Sequence, residues 1–325
     1  MVCEQARAFW VAAPGRGEIR DEPLRHPSPD EVVVRALFSG ISRGTESLVF
    51  QGRVPASERE RMAAPFQAGT FPAPVKYGYA SVGTVEQGPA ALQGRHAFVL
   101  YPHQTCYVVP AAAVHPLPDD VPPARAVLAA NLETAINGVW DAGIHVGDRV
   151  TVIGAGTVGS LAAYIAGRIP HCDVELVDVN ASRAAVARAF GVHFAIPATA
   201  RSDRDVVIHV SGSPSGLQRG LEIAAFEATV VEMSWYGDRA VGVPLGEAFH
   251  ARRLTIKSSQ VGSVAASQRA RWDSQRRMQL ALAMLADPAL DVLITGESAF
   301  EDLPEVMARI AASPGDTIFH RVRYA

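Results

Sequence analysis

The chain has 325 residues, 48% hydrophobic and 19% charged, with a formal net charge of -3. That length exceeds one ordinary core and suits two domains. The charge balance offers no electrostatic case for nucleic acid or an anionic membrane, so the expected partner is a small molecule.

Cys3, Cys106 and Cys172, the three cysteines, lie far apart without C-x-x-C spacing. This argues against a disulfide framework and against a cysteine-built zinc lobe. The opening "MVCEQARAFWVAAPGRGE" has no basic head followed by a signal-length apolar run, and no apolar run reaches about 18 residues. The expectation is a soluble, cytoplasmic protein.

In chain order, residues 1–125 carry short runs such as "EVVVRALFSG", "ASVGTVEQG", "HAFVLYP" and "QTCYVVP", split by Gly and Pro. This spacing predicts a β-rich, barrel-like domain. Residues 126–261 change to a strand, turn and helix rhythm: "RVTVIGAGTVGSLAAYIAGRI", "DVELVDV", "ASRAAVARAFG", "DVVIHVSG", "GLQRGLEIAAF", "ATVVEMSWYG", "RRLTIKSSQVG". Apolar runs alternating with helical periods predict a doubly wound parallel sheet covered on both faces. Residues 262–325 add two amphipathic segments, "RWDSQRRMQLALAMLAD" and "LPEVMARIAAS", and a closing strand "TIFHRVRYA".

Gly154, Gly156 and Gly159 form a G-x-G-x-x-G between an apolar strand and a helical pattern, the context a dinucleotide site requires. Gly154 permits the tight turn, Gly156 admits a pyrophosphate to backbone N–H groups, and Gly159 lets helix and strand pack closely. The helix opening at Thr157 and Val158 then presents its N-terminus to the anion. Asp178, ending the next strand beside Val179, is placed to accept from both hydroxyls of an adenosine ribose. A carboxylate there repels a 2'-phosphate, which favours NAD(H) over NADP(H). Arg183 either moderates that preference or is an exposed helix arginine.

With these motifs the chain resembles the medium-chain dehydrogenase/reductase family over nearly its full length. "GIHVGDRVTVIGAGTVG" is similar to that family's junction between a GroES-like barrel and a Rossmann domain, and "LDVLITGESAFEDLPEVMARI" resembles its C-terminal segment. Within the family, "SGISRGTE" looks most like the branch of bacteriochlorophyllide hydroxyethyl dehydrogenases. The resemblance implies a GroES-like catalytic domain over 1–125, an NAD-binding Rossmann domain over 126–261, and a return to the first domain over 262–325.

The resemblance also implies where a catalytic zinc would sit, and the sequence departs at each point. Ser42 stands at the cysteine ligand, with Thr45 near the relay hydroxyl and Glu46 near an acidic position. "GYASVG" replaces G-H-E-x-x-G, putting Tyr79 for His and Ala80 for Glu, and the third ligand falls on Ala130. These changes remove the donors that hold Zn²⁺, so no zinc is expected; His103 and Glu133 are the residues left for an unexpected metal site. Hydride chemistry without a metal needs positioned donors or a general acid/base, and the candidates are Ser42, Thr45, Glu46, Tyr79 and His103. Each has a structural alternative: Ser42 and Thr45 are ordinary turn and capping residues, Glu46 can cap the following helix or orient Arg43, Tyr79 can fill the space of the metal, and His103 can be a bonded structural histidine.

Arg43 follows the ligand position, where the family places an arginine on the cofactor pyrophosphate, or else contacts substrate. By resemblance Thr134 lies beside the nicotinamide, flanked by Asn131 and Glu133. Ser211 and Gly212 border the adenosine, and Ser234 and Trp235 meet the carboxamide unless Trp235 and Tyr236 are interdomain packing. "LTIKSSQVG" resembles the edge strand that pairs across the family's dimer axis, and it brings Ser258, Ser259 and Gln260 toward the cleft. The combined expectation is a zinc-independent, NAD(H)-preferring oxidoreductase for a secondary alcohol and its carbonyl, dimeric, with its site in the interdomain cleft. A zinc-free enone or quinone reductase, or a non-catalytic dinucleotide-binding sensor, are the alternatives.

Overall fold

The computed structural model describes residues 5–313 and 315–325, so Cys3 lies outside the described residues. The chain divides into two compact units, residues 1–130 with 282–325, and residues 131–281.

The first unit is built around the strand Glu31–Ile41, whose Val32, Val33 and Val34 are all buried, so both faces are covered there. It pairs antiparallel with Ser81–Gln87, Cys106–Pro110 and Phe319–Arg323. The mixed seven-stranded sheet runs Ile294–Ala299, Phe319–Arg323, Glu31–Ile41, Ser81–Gln87, His96–Val99, His115–Pro116, with Cys106–Pro110 joining Glu31–Ile41 off that path. A second sheet of four strands runs Arg16–Pro23, Gln5–Ala13, Val75–Lys76, Ala68–Gly69. The strand Gln5–Ala13 is also tied to the segment around His103: Phe9 N–H donates to His103 O at 2.9 Å and Thr105 N–H to Arg7 O at 2.9 Å. Strands from the far end of the chain thus complete the sheet begun at residue 31.

The second unit holds six parallel strands: Arg149–Ile153, Asp173–Val177, His193–Ala195, Arg204–His209, Ala224–Glu232 and Thr255–Ser258. Their spatial order is 3-2-1-4-5-6, the doubly wound arrangement whose ligand crevice lies at the carboxyl ends of the strands, where the order reverses. Val150, Val152, Val174, Leu176, Val207, Ile208, Val230 and Val231 are all buried, as strands covered on both faces require. Thr255–Ser258 is an edge with one neighbour among the described residues.

The boundaries differ from those expected at 125 and 261. Residues 262–281 belong to the second unit because Arg277 in the helix Ser274–Met284 donates to Glu133 Oε1 at 3.0 Å and Trp272 packs on Trp140 at 4.9 Å. Among the described residues no helix is long and apolar enough to cross a membrane.

Candidate active site and cofactor site

In the first unit, the strand Glu31–Ile41 runs into the helix Arg43–Phe50 through Ser42, the N-cap residue. The Ser42 side chain makes no capping bond. Instead Glu46, four residues on, reaches back and accepts the Ser42 N–H at 2.7 Å, so its carboxylate caps that backbone donor. That leaves the Ser42 hydroxyl, with that of Thr45, to hydrogen-bond the Tyr79 phenol. The cap therefore gathers Ser42, Thr45, Glu46 and Tyr79 at one point.

The other oxygen of Glu46 faces His103 Nε2 at 2.8 Å, and His103 Nδ1 faces Ser39 Oγ at 2.6 Å. Ser39 Oγ in turn lies 2.9 Å from the hydroxyl of Tyr324, the residue after the strand Phe319–Arg323. Glu46 is 3% exposed, His103 1% and Ser39 0%, so these three lie beneath the surface. Gly78 lets the ring sit there: its φ is +138°, and a Cβ on it would stand 3.0 Å from His103 Cδ2. The edge of Phe9 closes the other side at 6.3 Å.

Tyr79 and Thr45 differ in being half-buried. Burial and the Glu46 charge push the Tyr79 hydroxyl up to about 12, against the hydrogen bonds from Ser42 and Thr45. It is thus a protonated donor at neutral pH, with roughly one molecule in 10⁵ ionised at pH 7. Burial likewise pushes up Tyr77 and Tyr324, with Glu46 adding to both. Arg43 is half-buried in the first turn of the helix.

In the second unit, Gly154 has φ +109° and a Cβ there would lie 2.7 Å from Ser211 Cα; at Gly159 a Cβ would meet the Gly154 carbonyl and Val210. Both glycines are therefore required sterically. Gly156 caps the helix Thr157–Ala166 with no side chain, and Thr157, Val158 and their neighbours place no acid in its first turn, which suits an anion at that end. Asp178 Oδ2 accepts the Ala155 N–H at 2.7 Å and Oδ1 the Asn180 N–H at 2.8 Å. Each oxygen keeps capacity for a ribose hydroxyl, and the loop is tied to the carboxylate that would read the ribose. Val179 is 85% exposed.

Arg183 is 6% exposed, which corrects its reading as an exposed helix arginine; it lies in the short turn Ala181–Arg183 and its side chain folds inward. Thr134 sits in the helix Ala129–Ala142 with Asn131 and Glu133. Burial raises the Glu133 carboxyl, and the Arg277 guanidinium offsets this in part. Tyr236 donates to Glu232 Oε2 at 3.1 Å, and Ser259 donates to Asp141 Oδ2 at 2.8 Å.

Sequence reasoning passed over Ser39, Tyr324, His209, Glu232 and Arg277. His209 Nδ1 lies 2.7 Å from Glu232 Oε2 and its Nε2 2.7 Å from Ser211 Oγ. Ser234 joins the cluster through its N–H to Glu232 Oε1 at 2.7 Å, and its hydroxyl accepts the Gly212 N–H at 3.1 Å. Burial opposes ionisation of Glu232, yet hydrogen bonds from His209 and Ser234 hold its carboxyl below the usual range. A signal existed: His209 and Glu232 are polar residues ending two apolar strands, at positions that pair in register.

The donor set does not fit zinc. Both ring nitrogens of His103 and both oxygens of Glu46 are turned onto protein partners, and Glu133 is paired with Arg277. Among the described residues no three His, Cys, Asp or Glu side chains converge as a metal group.

No family model matches the chain. D-guloside 3-dehydrogenase of Escherichia coli K12 is 29% identical over 192 residues, covering 55% of this chain and 53% of that protein, so the chain spans about half the length of the curated relative it matches. L-idonate 5-dehydrogenase of Escherichia coli superposes at TM-score 0.81 over 98% of both chains with 16% identity. A short chain alcohol dehydrogenase of Escherichia coli CFT073 complexed with NADH superposes at 0.77 over 99% of this chain and 100% of that one, also with 16% identity. These likenesses establish that the chain has the fold of alcohol and polyol dehydrogenases, a Rossmann sheet joined to a separate mixed-sheet unit.

Proposed function

We propose that the protein is a zinc-independent oxidoreductase that interconverts a secondary alcohol and its carbonyl with NAD(H), and that Tyr79 is the donor on the substrate oxygen. The observation that carries this is the Tyr79, Ser42, Thr45 and Glu46 constellation: a half-buried, fully protonated phenol backed by two hydroxyls and a buried carboxylate. The dehydrogenases named above support the CH–OH chemistry. Asp178, accepting at the end of the second strand, supports NAD(H) over NADP(H). Arg43, Thr134, Gly154, Gly156, Thr157, Val158, Gly159, Asp178, Val179, Arg183, Ser211, Gly212 and Ser234 are the proposed cofactor contacts.

NADH, when bound, supplies the hydride. Tyr79 donates its hydrogen bond to the carbonyl oxygen and so stabilises the negative charge that grows there, the task a metal performs elsewhere. The proton that completes the alcohol comes from the Tyr79 hydroxyl, which regains one from solvent water relayed through Ser42 or Thr45. In the oxidative direction the same hydroxyls carry the alcohol proton away, and Glu46 is the nearby carboxylate whose charge favours that transfer.

The protein is further proposed to be a cytoplasmic homodimer joined along the edge strand Thr255–Ser258, which has one sheet neighbour among the described residues and would otherwise be an open template for pairing. Sedimentation tests this directly, since a monomer at micromolar concentration refutes it. The activity test is chelator-treated protein titrated with NADH and NADPH, then assayed with ketones, enones and quinones. Tighter NADH binding with ketone reduction and no stoichiometric zinc is expected. Reduction of enones alone, binding without turnover, or activity that tracks one zinc per chain would each overturn the proposal.

A further inference from the structure

The four buried groups Tyr324, Ser39, His103 and Glu46 form a chain whose hydrogen bonds have a direction, and that direction can be counted. The backbone N–H of Gln104 faces the Tyr324 hydroxyl and acts against the rise that burial causes there. That N–H is available because Gln104 opposes Ala8 in a bridge whose two hydrogen bonds are made by the neighbours, Phe9 N–H to His103 O and Thr105 N–H to Arg7 O. In such a pair the intervening N–H points away from the partner strand. The Tyr324 hydroxyl proton then has one acceptor within reach among the described residues, Ser39 Oγ at 2.9 Å. With the Tyr324 hydroxyl donating to it, the Ser39 hydroxyl has His103 Nδ1, at 2.6 Å, as the acceptor left for its own proton among the described residues. An Nδ1 that accepts carries no proton, so the ring proton sits on Nε2 and is donated to Glu46 Oε2 at 2.8 Å. The reverse polarity would leave the buried Tyr324 O–H, 7% exposed, without an acceptor, a defect that native interiors avoid.

We infer that Tyr324 and Ser39 are positioning residues that lock His103 as the neutral Nε2–H tautomer, so that His103 keeps Glu46 an acceptor and does not itself exchange a proton with substrate. This deepens the proposed function and rests on it for the role of Glu46, while the tautomer itself does not. Glu46 receives two donors, Ser42 N–H on one oxygen and His103 Nε2–H on the other. Its charge also acts on Tyr79, whose hydroxyl it helps to raise. His103 is a brace, and the Ser39 and Tyr324 hydroxyls fix which way the brace points. The groups that sense Glu46 from the surrounding elements are Tyr77, Tyr79 and Tyr324, all of them phenols raised away from neutrality.

The test is nitrogen NMR of the full chain labelled in its histidines, with His103 assigned by comparison with His103→Gln. A protonated Nε2 and a bare Nδ1 are expected. A proton on Nδ1, alone or together with Nε2, overturns the inference. The second arm is Ser39→Ala. It is expected to release His103 into a mixture of tautomers and to lower kcat for ketone reduction about 10–100-fold, the usual effect of losing an outer orienting partner, with the Kd for NADH unchanged. Tyr324→Phe should give a smaller loss, because Ser39 can still donate to Nδ1. A Ser39→Ala protein whose His103 signals match the parent overturns the positioning role. The expected tautomer in a protein that reduces no carbonyl would leave the chain polarity standing and sink the proposed function. The wrong tautomer in an active ketone reductase would do the opposite.

Discussion

Replacing Glu46 by Gln is the most informative single change, because it alters hydrogen-bond bookkeeping at almost constant shape. A carboxylate offers acceptors only, and Glu46 uses both oxygens on donors, Ser42 N–H at 2.7 Å and His103 Nε2 at 2.8 Å. An amide offers one acceptor and one donor. Whichever way the introduced amide is turned, its NH₂ faces either the Ser42 N–H or the His103 Nε2–H. If His103 shifts its proton to Nδ1 to relieve the clash, Ser39 must donate to Tyr324, and the unmet donor moves to the Tyr324 O–H. One buried donor without an acceptor costs about 1–3 kcal/mol. The bond that survives becomes neutral as well, at about 1 kcal/mol, and the cheaper burial of an amide offsets part of this. The net loss is about 2–3 kcal/mol, or roughly 4–12 °C in the melting temperature of a unit of this size. Thermal unfolding by circular dichroism measures it, with Glu301→Gln as control. Glu301 pairs with Arg7 at 2.8 Å but is 53% exposed, and such a pair contributes little. Melting of E46Q within about 1 °C of the parent would refute the donor count on which the polarity of the chain depends.

Tyr79→Phe should lower kcat for ketone reduction about 10²–10⁴-fold, with NADH binding unchanged; a loss under about threefold would remove Tyr79 from the mechanism. Because its hydroxyl is raised to about 12, Tyr79 loses its proton only as pH approaches that value. The reductive kcat should therefore show no decline from Tyr79 between pH 6 and pH 9, and a fall with a midpoint near pH 8 would contradict this. Asp178→Asn should narrow the preference for NADH over NADPH in a binding titration, since it removes the charge that repels a 2'-phosphate; an unchanged ratio would show that Asp178 does not read the ribose. Arg277→Ala leaves the buried Glu133 without its cation and Asn137 Oδ1 without the Arg277 N–H at 2.5 Å. A stability loss of about 3–5 kcal/mol is expected from such a broken buried pair, read as a lower midpoint in urea.

The sheet of the second unit was legible because each of its features is local. The apolar run "RVTVI", the glycines after it and Asp178 lie within 30 residues, and each answers to a steric or electrostatic demand that short sequence shows. The cap at Ser42 and Glu46 was legible for the same reason. Ser39 and Tyr324 were not, because 285 positions separate them and they meet only when the strand Phe319–Arg323 pairs with Glu31–Ile41. His103 was singled out for its chemistry, but its direction of bonding depends on a strand register, Ala8 opposite Gln104, that no local pattern encodes. The boundary near 281 was missed for a similar reason, since an arginine in an amphipathic segment looks solvated until its buried partners Glu133 and Asn137 are known.

The same counting applied to the second unit gives a contrasting result. His209 is also held between a carboxylate and a serine, with Nδ1 on Glu232 and Nε2 on Ser211. The Ser211 oxygen already accepts the Ser213 N–H at 3.1 Å, so its proton goes to Nε2 and the ring proton goes to Glu232. His209 is 0% exposed, yet Ser211 is exposed. In the first unit the imidazole braces a carboxylate and the serine ends in a buried tyrosine. In the second the imidazole braces the turn between the strand Arg204–His209 and the helix Pro214–Ile223, and the serine ends at the surface. Each turn is thus tied to its strand by a buried imidazole. One network presents a hydroxyl to whatever lies on the sheet's carboxyl edge, and the other keeps an acceptor behind Tyr79.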